Sequence, residues 1–292
     1  MGLAAHHYPV LVTGAAGLLG RALGPKLLGH APGPDAVHLT DVADLDVTDA
    51  AAVADAVRAI RPRTVFHLAA WTDVDGAEAH PREAARLNAE AAENVAVAAD
   101  QAGALIVHLS TDFIFDGTRP GRYVEDDPPS PQSVYGRTKA DGEGRVRAAA
   151  PASHLVVRTA WLYGAGGRDF IDAILARARA GQPLRVVTDQ VGCPTWSEDL
   201  AAALVAMVEA GARGTLHACG AGEASRWDLA VEALRAAGFD TVPERVLTAD
   251  MPRPARRPAR AILSTDRLAE TVGFRFPPWQ ESVRAYVRSL EG

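Results

Sequence analysis

Val10-Leu11-Val12-Thr13-Gly14-Ala15-Ala16-Gly17-Leu18-Leu19-Gly20 is the stretch that decides the fold. A β-branched, apolar run gives a buried strand, glycines at every third position follow it at once, and Leu18 and Leu19 open a helical stretch. Glycine in such a turn lets the backbone bend sharply and approach a ligand with no Cβ in the way. The first turn of the helix beyond it offers unpaired N–H groups and the positive end of its dipole to an anion. A plain strand-to-helix turn accounts for a lone glycine pattern equally well, but strand before and helix after point to the phosphate-binding turn of a dinucleotide fold. Gly14, Gly17, Leu18, Leu19 and Gly20 are therefore candidate cofactor residues.

Outward from this turn, short apolar runs alternate with alanine-rich helical stretches. Candidate strands fall at 9–13, 36–41, 64–69, 105–110 and 155–159. Between them, Ala50, Val53, Ala54, Val57 and Ile60 share one helical face, as do Ala84, Leu87, Ala91, Val95 and Ala98. The pattern predicts an α/β protein with a Rossmann-type doubly wound parallel sheet. Beyond Thr159 prolines and glycines are more frequent. We expect residues 1–160 to form the dinucleotide-binding domain and 161–292 a smaller C-terminal substrate-binding lobe, with segments around 184–210 packing back on the first domain. Gly181 and Pro183 end a helix over 169–180, and Ser197 and Ser225 read as N-caps, the latter with Asp228 three residues on.

Bulk properties narrow the function. Of 292 residues, 48% are hydrophobic and 23% charged, which places the chain outside the disordered regime. A formal net charge of −6 argues against a nucleic-acid partner. The one basic cluster, Arg253, Arg256, Arg257 and Arg260, is threaded with prolines and either meets a pyrophosphate or forms a solvated loop. Cys193 and Cys219 lie far apart in sequence without paired spacing, so neither a metal site nor a disulfide is expected. No signal-like N-terminus and no apolar run of about 18 residues is present, which predicts no membrane partner and a cytoplasmic setting. His67, His108, His154 and His217 read as core histidines, and Glu125-Asp126-Asp127 as a solvated acidic loop.

Three further signals carry chemistry. Asp41 closes the second strand at the distance where a carboxylate accepts hydrogen bonds from the adenosine ribose, which favours NADH over NADPH; Arg21 is the only nearby arginine for a 2′-phosphate. Asp46 and Val47 follow, within reach of the adenine edge. Tyr135 and Lys139 stand four apart on a helix and share a face, so a phenol and an ammonium converge, and the cation is expected to lower the phenol pKa toward neutrality. Ser110, Thr111 and Asp112 end the fourth strand, where ligands bind in open parallel sheets, and Thr111 can reach the same substrate oxygen.

Taken together these strings resemble the dTDP-4-dehydrorhamnose reductase family of extended short-chain dehydrogenases. The resemblance runs from the Gly14–Gly20 turn through Leu68-Ala69-Ala70-Trp71-Thr72-Asp73-Val74-Asp75, Ser110-Thr111-Asp112-Phe113-Ile114-Phe115-Asp116-Gly117, Val134-Tyr135-Gly136-Arg137-Thr138-Lys139, Arg158-Thr159-Ala160-Trp161, Asp189-Gln190-Val191-Gly192-Cys193-Pro194-Thr195 and Arg256-Arg257-Pro258 to Pro278-Trp279. It implies reduction of a 4-keto-6-deoxyhexose carried on thymidine diphosphate, using NADH or NADPH. By motif position it implies Tyr135 as proton donor, Lys139 on the nicotinamide ribose, and Thr111 polarising the carbonyl. Gly17, Leu18, Leu19, Asp41, Asp46, Val47, Ala69, Ala70 and Trp71 would line the cofactor, and Thr111, Asp112, Tyr135 and Trp161 would meet the sugar. Asn88 matches the family's asparagine at the active-site edge. Arg260-Ala261 departs from the Asn-Ser frequent in the family. Some members use magnesium, but no carboxylate cluster here places a metal. A homodimer is compatible with the resemblance. Two rivals share the scaffold: a dehydratase or epimerase that retains its NAD, where Phe113 replaces the needed glutamate, and a non-catalytic subunit resembling the regulatory subunit of methionine adenosyltransferase.

Overall fold

The computed structural model describes residues 2–167 and 169–290. β1 (Val10–Thr13), β2 (Val37–Thr40), β3 (Thr64–His67), β4 (Leu105–Thr111) and β5 (His154–Thr159) lie where apolar runs place them, all parallel. A sixth strand, Gly214–His217, pairs with β5, and the order across the sheet is sixth, β5, β4, β3, β1, β2. Its four residues hold a single large apolar side chain, Leu216, which is why the strand left no signal in the sequence. The chain leaves β1 for β2 on one side and returns to β3 on the other, opening a crevice at the C-terminal ends of these strands.

Alternation along the strands feeds two cores. Val10, Val12, Phe66, Val107, Leu155 and Val157 pack on one face with Leu19, Leu23 and Leu27 of α1 (Leu18–Leu28) and with Leu200, Leu204 and Met207 of the helix Ser197–Glu209. Leu11, Val65, Ile106 and Val156 pack on the other with Val53 and Val57 of α2 (Ala50–Ile60) and with Val95 and Ala99. Each large aliphatic side chain so buried stabilises the fold by roughly 1.5–3 kcal/mol before entropy is charged against it. A third cluster gathers Tyr163, Ile171, Leu175, Leu229, Val283 and Tyr286 from the C-terminal half.

Three of the helix starts show the capping chemistry directly. Asp49 caps α2, Asp169 caps the helix Phe170–Arg179, and Ser225 and Asp228 close a reciprocal capping box on the helix Arg226–Ala236. Ser197 is not a cap: it is already helical, Trp196 holds the cap position, and Glu198 and Asp199 supply negative charge to the first turn instead. The stretch expected as one continuous helix around 84–98 is interrupted by a π-helical turn, Arg86–Glu90, ahead of Ala91–Gln101. That extra residue per turn buries Asn88, whose consequence appears at the site. No helix among the described residues is long and apolar enough to cross a membrane.

Candidate active site

A cavity of about 860 Å³ runs along the C-terminal ends of the strands. At one end lies the glycine turn. Gly14 has φ +70°, and a Cβ there would stand 2.6 Å from the Ala69 backbone nitrogen, so the turn and the loop after β3 can meet only through glycine. A Cβ on Gly17 would meet only the Gly14 carbonyl at 3.3 Å and otherwise occupy the cavity that Gly17 lines. That open cradle, beside the first turn of α1, suits the pyrophosphate of a dinucleotide. Asp41 lines the same end; its Oδ2 accepts the Ala16 N–H at 2.9 Å and its Oδ1 the Val42 N–H at 2.8 Å, which fixes the carboxylate at the end of β2. Asp46 is held by the Thr48 N–H and hydroxyl at 2.9 and 2.7 Å, and Val47, Ala69 and Ala70 join it in the lining. Leu18, Leu19 and Gly20 complete this end.

Trp71 is placed differently from the expectation. It is not among the lining residues: its Nε1 donates to the Asp73 carbonyl at 2.8 Å, and its ring packs beside Ala77, Ala84 and Val134. Its backbone matters more. Asn88, turned inward by the π-helical turn, accepts the Trp71 N–H at 2.8 Å and donates to the Thr138 hydroxyl at 3.0 Å. Asn88 thus ties the loop after β3 to the helix that carries Tyr135 and lies behind the cavity wall rather than in it.

The helix Val134–Ala149, capped by the Ser133 hydroxyl accepting from Gly136 N–H, presents Tyr135 and Lys139 to the middle of the cavity. Thr111 and Asp112 face them from the end of β4. Burial pushes the Tyr135 phenol up to about 12; the Thr111 hydroxyl opposes that rise and the Asp112 carboxyl adds to it. The expected lowering by Lys139 is not found, because the ammonium is turned away: Lys139 Nζ donates to the Leu109 carbonyl at 2.6 Å and answers electrostatically to Glu143 one turn further on. Burial brings Lys139 itself down to about 8, so it remains mostly charged at neutral pH. Asp112, buried and accepting from the Thr111 hydroxyl at 3.1 Å, is raised by desolvation to about 7. Phe113 stands edge-on to Tyr135 with ring centroids 5.5 Å apart.

Beyond Asp112 the cavity is closed by residues that sequence reasoning largely missed. Trp161 lines it, as expected, with a left-handed backbone (φ +46°), but both indole faces are taken. A Cβ on Gly192 would lie 2.3 Å from Trp161 Cε2, and the Arg226 guanidinium lies 3.6 Å from the ring centroid. Two groups that close to one ring cannot share a face, so Trp161 is sandwiched and offers the cavity its edge. This assigns a physical role to the glycine of Asp189-Gln190-Val191-Gly192: no other residue admits the indole. Arg226, Phe170, Tyr163, Ile171 and Leu229 were not singled out, since an arginine at the first turn of a helix and a helical apolar stripe look like surface and core.

The basic cluster divides. Arg257 lines the cavity with both Nη atoms on the Asp75 carboxylate at 2.9 and 2.8 Å, whereas Arg260 pairs with Glu223 away from it. The acidic run is not simply solvated either: Glu125 is buried and accepts the His217 N–H at 3.0 Å, while Asp126 and Asp127 pair with Arg267 and Arg119. Beneath the site, His67 and His108 stack at 5.4 Å as buried neutral rings, His67 lowered to about 3 by burial and by Lys139. Cys193 and Cys219, distant in sequence, are adjacent and free in the core behind Asp112.

Comparison with known proteins agrees with this geometry. A family model described as the RmlD substrate binding domain matches residues 8–291. The chain belongs to that family. It is 38% identical over 260 residues to the dTDP-4-dehydrorhamnose reductase of Sinorhizobium fredii, covering 85% of this chain and 87% of the relative. It is 42% identical over 277 residues to a probable dTDP-4,6-dihydroxy-2-methyloxan-3-one 4-ketoreductase of Streptomyces antibioticus, covering 94% and 92%. Among solved structures, the dTDP-4-dehydrorhamnose reductase of Bacillus anthracis in complex with NADP superposes with a TM-score of 0.91 at 32% identity, covering 96% of this chain and 98% of that one.

Proposed function

We propose that this RmlD-family protein is an NAD(P)H-dependent 4-ketoreductase that converts dTDP-4-dehydrorhamnose, or a closely related dTDP-4-keto-6-deoxyhexose, to the 4-hydroxy sugar. The observation that carries this reading is one continuous cavity with the glycine cradle at one end and Thr111, Tyr135 and Lys139 together at its centre. Gly14, Gly17, Leu18, Leu19 and Gly20 would hold the cofactor pyrophosphate, Asp41 the adenosine ribose, Asp46, Val47, Ala69 and Ala70 the walls around it, and Lys139 the nicotinamide ribose. Bound there, the dihydronicotinamide supplies a hydride. Asp41 favours NADH, and the NADP complex of the Bacillus anthracis relative supports use of NADPH as well. Arg21, the nearby arginine, uses its Nε on the Ala16 carbonyl at 2.7 Å and keeps its Nη donors for a 2′-phosphate.

The residues of the chain handle the proton. With its pKa at about 12, the Tyr135 phenol is protonated at neutral pH and donates to a ketone oxygen as negative charge develops on it. Thr111, whose hydroxyl already favours the ionised phenol, adds a second hydrogen bond to that oxygen. Asp112, with its pKa near 7, can donate or accept toward sugar hydroxyls. A retained-NAD dehydratase is less well supported because Phe113, packed edge-on to Tyr135, stands where an added acid or base would be needed. The persistence of the full proton-donating set in one cavity speaks for turnover over a purely regulatory subunit. Two free, buried cysteines fit a reducing, cytoplasmic setting.

The test is a spectrophotometric assay of NADH and NADPH oxidation with dTDP-4-keto-6-deoxyhexose. Wild type is expected to consume cofactor stoichiometrically, and Tyr135→Phe to lose at least about 10²-fold in kcat with cofactor binding intact. A Tyr135→Phe variant with the wild-type rate would remove the tyrosine from the reaction.

A further inference from the structure

Among the described residues three cations line the cavity, and two are already engaged. Lys139 donates to the Leu109 carbonyl, and Arg257 is held at both Nη atoms by Asp75. The third, Arg226, has no acceptor for its guanidinium among the described residues, yet its mount is rigid. Its own N–H donates to the Gln190 carbonyl at 3.1 Å, the Ser225–Asp228 capping box locks the turn, and Ala224 and Ser225 pair with Gly192 and Val191. The guanidinium is laid flat on Trp161 at 3.6 Å and stands 5.1 Å from Phe170. Stacking uses the π face and leaves the in-plane N–H donors pointing outward. A fork of donors fixed in a partly dry cavity without an acceptor is costly to maintain, and an anionic ligand removes that cost.

Position narrows the anion. Arg226 is near enough to Asp112 and to Arg257 for both to act on its charge, so it shares its part of the cavity with the carboxyl beside the proton donor and with a second arginine. A sugar seated between Tyr135 and Asp112 would put the diphosphate that carries it one step further out, against this arginine. We propose that Arg226 grips the diphosphate of the nucleotide-linked substrate and thereby sets how far the keto carbon reaches toward Tyr135. The inference rests on the reductase reading given above. Arg226 is a binding and positioning residue here, with the indole of Trp161 as its platform. The cofactor's own pyrophosphate belongs to the glycine cradle at the other end.

The experiment is equilibrium titration of the full chain, saturated with NADP, with thymidine diphosphate and separately with thymidine, for wild type, Arg226→Gln and Arg226→Lys. Arg226→Gln is expected to weaken thymidine diphosphate binding about 10- to 100-fold and to leave thymidine and NADPH binding unchanged. KM for the nucleotide sugar rises in parallel, and kcat falls as well because the keto carbon is no longer held at its distance from Tyr135. Arg226→Lys, which keeps the charge and loses the fork, recovers part of the affinity. If Arg226→Gln does not fold, Arg226→Lys alone decides: a loss confined to the diphosphate supports the proposal, and an equal loss for thymidine overturns it. Wild-type affinity for thymidine diphosphate in Arg226→Gln would overturn the proposal and leave the reductase reading standing. A loss of NADPH affinity in its place would assign the arginine to the cofactor and overturn it too. Failure of the wild type to bind thymidine diphosphate would instead strike the reductase reading itself.

Discussion

Replacing Glu143 by alanine isolates the most heavily engaged buried charge behind the site. Glu143 is fully buried and accepts from Arg158 Nε at 2.9 Å, Arg158 Nη2 at 2.8 Å and Arg147 Nη2 at 2.6 Å. Burial alone would raise its pKa, but Arg158, Ser110 and Arg147 outweigh it and hold the carboxyl below the ordinary glutamate value. In the alanine variant Arg158, only 2% exposed, keeps the Glu125 carbonyl at 2.9 Å as its neutral acceptor and loses its counter-charge. Leaving a buried cation uncompensated costs about 3–5 kcal/mol, which for a chain of this size lowers Tm on the order of 10 °C. Urea unfolding followed by circular dichroism measures the loss. Removing both partners with Glu143→Leu and Arg158→Met should cost less than half as much, since the desolvation penalty disappears with the charge. A single-variant loss under about 1 kcal/mol would refute the reasoning, because it would mean that Arg158 finds solvent or another acid. The sign with pH is fixed: the folded-state pKa is depressed, so the contribution is present above the unfolded-state value and is lost as pH falls through the folded one. Because Glu143 also supports the charge on Lys139, its removal should move the alkaline limb of kcat/KM to lower pH.

Two other perturbations follow from the same geometry. His67, His108 and His217 are buried and held below their ordinary pKa chiefly by desolvation, His67 and His217 at about 3. The unfolded chain takes protons that these rings refuse, so stability declines as pH falls below about 6.5, with a slope approaching ~4 kcal/mol per pH unit for the three together; chemical denaturation between pH 7.5 and 5 should show it, and a flat profile would contradict it. Gly192→Ala places a Cβ 2.3 Å from Trp161 Cε2. It should cost about 1–3 kcal/mol of stability and raise KM for the nucleotide sugar with NADPH affinity unchanged, a split that steady-state kinetics and cofactor titration resolve together.

Much of the fold was legible because parallel strands buried on both faces write themselves as apolar runs, and because the glycine turn has strong stereochemical demands. β1, β3, β4 and β5 were readable for that reason, whereas β2, a half-exposed edge strand, was readable from Val37 and Leu39 and its place after the glycine turn. The sixth strand was not, since Gly-Thr-Leu-His becomes a strand only by pairing with β5, a contact distant in sequence. Ser197 misled because a serine before acidic residues suits a cap and a first helical turn alike. At the site, Tyr135, Lys139 and Thr111 were legible by spacing and position, but the sense of the tyrosine shift was not. Spacing puts the ammonium on the same helix face, whereas only the fold decides that it turns to the Leu109 carbonyl. Arg226 and Gly192 gained meaning only when a short strand pair brought them to opposite faces of Trp161. The adjacent free cysteines and the buried Glu125 belong to the same class of long-range result.

The central claim is net hydride delivery to the sugar with the proton from Tyr135, and isotope transfer tests it most directly. NADPH deuterated at the transferable position of nicotinamide C4 is incubated with the enzyme and dTDP-4-keto-6-deoxyhexose, and the product is read by mass spectrometry and proton NMR. One deuterium at sugar C4, with one equivalent of oxidised cofactor, is the predicted result. Sugar converted without deuterium and without loss of NADPH would show that the hydride is returned to a retained cofactor and would contradict the account.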